Sequence, residues 1–89
     1  MLCGGKGNAN QPDQESQDLL DQNQQQIQGF LGISYNNAYV ISYQTQCVAG
    51  TNYFIHARTD AGQEFDVTIF EELPCNGGEK SVSHAALRN

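Results

Sequence analysis

At 89 residues the chain has room for one hydrophobic core and one domain, spanning 1–89. Ten acidic against four basic residues leave a net charge of −6. That balance argues against nucleic acid, which needs clustered Lys and Arg, and against an anionic membrane surface. No apolar run approaches the roughly 20 residues of a membrane span. The start, Met1 to Gly7, has no apolar core of a secretory signal, so a cytoplasmic protein is expected.

Residues 1–11 carry Gly4, Gly5, Gly7, Asn8 and Asn10 and little to bury, which predicts a flexible arm. Pro12 opens a helical stretch, with Asp13 and Glu15 where the helix dipole favours negative charge. Leu19, Leu20, Ile27 and Phe30 fall on one stripe that Asn23 interrupts, and Gln22, Gln24, Gln25, Gln26 and Gln28 read as a solvated face. Gly29 and Gly32 are expected to stop it. The prediction is a single amphipathic helix of about four turns, needing a surface to lie on.

Beyond Ala38 the period becomes two. Tyr39 to Thr45 and Thr51 to Arg58 read as strands joined by a hairpin tip, Gln46-Cys47-Val48-Ala49-Gly50. A turn at Asp60-Ala61-Gly62 leads to a third strand, in which Phe65, Val67 and Ile69 alternate with polar residues. Leu73-Pro74-Cys75-Asn76-Gly77-Gly78 breaks it, because proline and paired glycines cannot continue a ladder. Ser81 to Leu87 is a weak last strand at an edge. These elements predict an α+β fold, with one helix across a four-stranded antiparallel sheet that becomes five-stranded if the arm is counted.

Cys3, Cys47 and Cys75 make an odd number, and no C-x-x-C or C-x-x-H pair occurs. Free thiols are the simplest reading, with no metal and no cofactor. Cys47 and His56 as nucleophile and base would lack an orienting partner, so no enzyme is expected. In a meander alternate turns share one end of the sheet. Val48, Leu73 and Pro74 therefore become exposed apolar loop residues in a row, a surface suited to a partner's groove.

Gln46-Cys47-Val48-Ala49-Gly50 fits the Gln-x-Val-x-Gly signature of the cystatins, and Thr51-Asn52-Tyr53-Phe54-Ile55 continues as in their stefin branch. Leu73-Pro74 resembles the stefin second loop, and Met1-Leu2-Cys3-Gly4 the stefin amino-terminal trunk. The resemblance implies a reversible, tight-binding inhibitor of papain-like cysteine proteases such as cathepsins. By that resemblance Met1, Leu2 and Cys3 would fill the non-primed subsites, and Gly4 would turn the arm away from the protease thiolate. Gln46, Cys47, Val48, Ala49 and Gly50 would form the central wedge, and Leu73 with Pro74 the primed-side contact. Each cysteine then maps to one of the three segments. The alternative reading is a non-inhibitory self-assembling module, since a β-branched first hairpin with few charges is prone to strand exchange. In the cystatin family, opening that loop gives domain-swapped dimers. A monomer is the expected state, with the swapped dimer as its alternative.

Overall fold

The computed structural model describes Gly7 and residues 9–88. Two helical segments, α1 (Gln14–Gln22) and α2 (Gln24–Leu31), precede β1 (Ala38–Val48), β2 (Gly50–Thr59), β3 (Glu64–Glu72) and β4 (Lys80–Leu87). The strands pair antiparallel in sequence order, so β1 and β4 are the edges. Alternation sends Ile55, Phe65, Val67 and Ile69 to the covered face, where they form one core with Leu19, Leu20 and Ile27. This is the expected α+β arrangement.

The helix is broken where one continuous helix was expected. Asp13 caps α1: its side chain accepts from the Ser16 N–H at 2.8 Å while the Ser16 hydroxyl accepts from the Asp13 N–H at 3.1 Å. At the far end the Asn23 side-chain amide donates to the Leu19 carbonyl at 2.8 Å. That carbonyl is the acceptor an unbroken helix would give to the backbone N–H of Asn23, which turns to Asp21 instead. Asn23 is thus buried and satisfied. The break also shifts the apolar phase: Ile27 and Leu31 pack on the core, and Phe30, expected on the stripe, is exposed. Gly29 remains inside α2, and Gly32, at φ 72°, ends it.

The glutamines do more than face water. Gln17 donates to the Ala38 carbonyl at 2.8 Å and accepts from the Val40 N–H at 3.1 Å, so one side-chain amide pairs with the outer edge of β1 as a strand would. Gln24 donates to the Tyr35 carbonyl and Gln28 accepts from the Tyr35 N–H, clamping the connection to β1. Gln26 accepts from the Val82 N–H on the opposite edge of the sheet. These backbone groups have no strand partner, and a primary amide supplies both a donor and an acceptor. Of the expected solvated face, Gln22 and Gln25 are exposed and carry no such bond among the described residues.

Part of the arm is held against β1. Asn10 exchanges both backbone hydrogen bonds with Tyr43, at 2.8 and 3.2 Å, and the Gly7 N–H donates to the Thr45 carbonyl at 3.0 Å. Residues 1–6 and 8 lie outside the described residues. No helix among the described residues is long and apolar enough to cross a membrane.

Candidate functional site

The register of β2 on β3 sets the site. Gly50 pairs with Glu72, so the turn that precedes β2 and the loop that follows β3 leave the same end of the sheet side by side. At that end Val48 and Leu73 are each 41% exposed, and Ala49 and Pro74 are exposed beside them. The strands run further than expected. Gln46, Cys47 and Val48 belong to β1 and pair with Asn52, Thr51 and Gly50, which leaves Ala49 alone at the turn. The Gln46 side chain braces the hairpin by accepting from the Asn52 amide at 3.3 Å.

Gly50 has a geometric reason to be glycine. Its φ is 134°, and a Cβ there would lie 2.5 Å from the Glu71 carbonyl oxygen and 2.7 Å from the Phe70 ring. Any side chain would push the turn away from β3. The second loop holds itself: Leu73 leads into a short 3-10 turn, Pro74–Asn76, and the Leu73 carbonyl accepts from the N–H groups of both Asn76 and Gly78. The Glu72 N–H then donates to the Glu79 carbonyl at 2.8 Å and closes the loop's base.

Beneath this end, Tyr53 ties sheet to helix. Its hydroxyl lies 3.1 Å from Glu71 and 3.3 Å from Glu15, and Lys80 pairs with Glu71 at 3.5 Å. Burial first, then the Glu71 charge, pushes the Tyr53 phenol well above its usual range, so it stays neutral and donates. Nothing in the residue pattern marks Tyr53 for this task, because its partners are distant in sequence.

Cys47 is disulfide-bonded, not the free thiol expected. Cys75 is an exposed free thiol. Both stand at the loop end of the sheet, as the sequence placed them. Leu2, Cys3 and Gly4 lie outside the described residues. His56 pairs with Ser42, five positions along β1 from Cys47, or about 17 Å at strand rise, so the two form no nucleophile and base. Among the described residues no group of His, Cys, Asp and Glu is arranged to hold a metal ion. What the edge offers is apolar surface on braced turns.

No family model matches the chain. Among curated proteins it is 32% identical to Cystatin-B of Paralichthys olivaceus, over 93% of this chain and 85% of that protein. It is 31% identical to Cystatin-A of Homo sapiens over 83% of this chain and 76% of that one. With Cystatin-A2 of Dictyostelium discoideum the identity is 44% over 66% of this chain and 62% of the relative.

Proposed function

The chain belongs to the cystatin family, and on that premise we propose that it is a reversible, tight-binding inhibitor of papain-like cysteine proteases of the cathepsin type. Cystatins are protease inhibitors and not enzymes. The observation that carries the reading is the pairing of Gly50 with both Val48 and Glu72, which brings Val48 and Leu73 to the same end of the sheet as exposed apolar residues. Two such residues on turns that are already braced lose little entropy on docking, so their burial goes into affinity. Gln46 to Gly50 fills the centre of the cleft, Leu73 with Pro74 the primed side, and Leu2, Cys3 and Gly4 of the arm the non-primed side. No peptide bond needs to lie over the protease thiolate, so the inhibitor is not cut. The active form is a monomer that meets its proteases in the cytoplasm.

Titration of active papain with the reduced protein, following hydrolysis of a small peptide substrate, tests the reading. Competitive inhibition that titrates near one to one is expected. A folded monomer that leaves papain fully active would refute it.

A further inference from the structure

Of the asparagines in the chain, Asn76 alone is followed by glycine. The pair lies on the second loop, where Asn76 ends the short 3-10 turn and Gly77 follows it at φ 114°. Both residues are exposed, so water reaches the Asn76 amide and the peptide bond that follows it. An asparagine side chain can close a five-membered ring onto the next backbone nitrogen. Glycine at that next position removes the side chain that would obstruct closure, and leaves the peptide freer to rotate. One backbone bond restrains the nitrogen: the Gly77 N–H donates to the Pro74 carbonyl at 3.1 Å. The Cys75 thiol lies 3.9 Å from Asn76 Oδ1, a weak donor toward the oxygen on which negative charge develops during attack. The Glu72 carboxylate stands beside the pair, its Oε1 3.4 Å from where a Cβ on Gly77 would lie.

We propose that Asn76 and Gly77 form a spontaneous modification site, at which deamidation ages the second docking loop and weakens its hold on a protease. The weakening rests on the inhibitor function assigned above; the chemistry itself does not. The Gly77 nitrogen, its proton lost to solvent base, attacks Asn76 Cγ. The N–Cγ bond forms, the Cγ–Nδ2 bond breaks, and the side-chain nitrogen leaves as ammonia with a proton returned by solvent. Water then opens the succinimide. Breaking the new N–Cγ bond gives aspartate, and breaking the bond from the Gly77 nitrogen to the Asn76 backbone carbonyl carbon gives isoaspartate. One water is consumed and one ammonia released, with no electron transfer. Either product sets a negative charge near Glu72. Isoaspartate also lengthens the backbone by a methylene. The bonds from Gly77 to the Pro74 carbonyl and from Gly78 to the Leu73 carbonyl, each 3.1 Å, both span that insertion. The frame that holds Leu73 is therefore loosened, whereas the first turn, seated against β3, is left as it was.

Folded protein is held at neutral and at mildly alkaline pH, then reduced, alkylated and cut with trypsin, with an unincubated sample setting the background. Cleavage after Arg58 and Lys80 releases peptide 59–80, in which Asn76 is the only asparagine. That peptide is expected to exchange its amide for an acid, faster at the higher pH, and to become a substrate for an isoaspartyl methyltransferase while 7–58 lags behind. An unchanged 59–80, or conversion that begins in 7–58, overturns the site. Binding is then measured on papain whose catalytic cysteine is replaced by serine. Protein rich in isoaspartate is expected to bind about tenfold more weakly than fresh protein, the loss of one anchor. Asn76→Ser, incubated in the same way, is expected to keep its affinity. Equal affinities of fresh and converted protein, or an Asn76→Ser protein that weakens as much on incubation, overturn the effect on binding. Failure of the fresh protein to bind would remove the inhibitor reading and that effect with it, while the peptide map still decides the chemistry.

Discussion

The first hairpin turn takes its shape from the sheet beside it, whereas the second loop takes its shape from its own backbone. Gly50 is pressed against Glu71 and Phe70 of the next strand, and the turn keeps its place only because no Cβ intervenes. The loop from Leu73 to Gly78 is closed by bonds among its own residues, to the Leu73 and Pro74 carbonyls. Both present a large exposed apolar side chain, Val48 and Leu73, to the same end of the molecule. A turn shaped by its neighbour fails when the neighbour is touched, while a self-closed loop tolerates changes at its tip. The two should therefore break differently.

The largest effect is expected at Gly50. Gly50→Ala combines an unfavourable φ with a collision against backbone, and roughly 3 kcal/mol of stability is lost from strain and overlap together. Urea unfolding reads this directly, and papain binding should fall with it. Val48→Asp separates the two quantities: papain binding weakens by roughly 30-fold or more, as for a central anchor, while unfolding shifts by less than about 0.5 kcal/mol. Leu73→Ala, on the self-closed loop, should cost about tenfold in affinity with no measurable change in stability. If Leu73→Ala unfolds the protein as readily as Gly50→Ala, the contrast between the loops is wrong.

Smaller effects lie away from the edge. Gln17→Ala leaves two backbone groups of β1 without their partner, and a loss of about 1 kcal/mol is expected in the same unfolding experiment. The smallest is the acid response of Asp13. The Tyr43 hydroxyl, at 2.5 Å, and the Ser16 N–H hold its carboxyl below the ordinary 3.8 of an aspartate. A lowered folded-state value means this contribution is complete above pH 3.8 and fades as the pH falls through the folded-state value. Tyr43→Phe should flatten that acid limb slightly, its small loss of stability showing above about pH 5 and vanishing at the acid end.

The strand order and the shared end of the two loops were legible in the alternation of Phe65, Val67 and Ile69 and in the turn residues between strands. The broken helix was not, although Asn23 was visibly out of place. Periodicity shows that a polar residue lies on a buried stripe, but not that its amide will take the Leu19 carbonyl from the backbone. The exposure of Phe30 follows from that same break. Glutamine hides its role in another way, because Gln25 in water and Gln24 on the Tyr35 carbonyl look alike in sequence. The distinction depends on where the loop and strand edges come to rest. The state of Cys47 was equally hidden, since pairing is set by proximity and not by spacing.

The central claim is that one end of the sheet, carrying Val48 and Leu73 together, is the surface that meets a protease. Hydrogen exchange of the protein alone and bound to papain lacking its catalytic cysteine tests it most directly. Slowed exchange at residues 47–50 and 73–78, with the Asp60–Gly62 turn at the opposite end unchanged, is the result expected. Protection at the Asp60–Gly62 turn, with the two loops unaffected, would contradict the account.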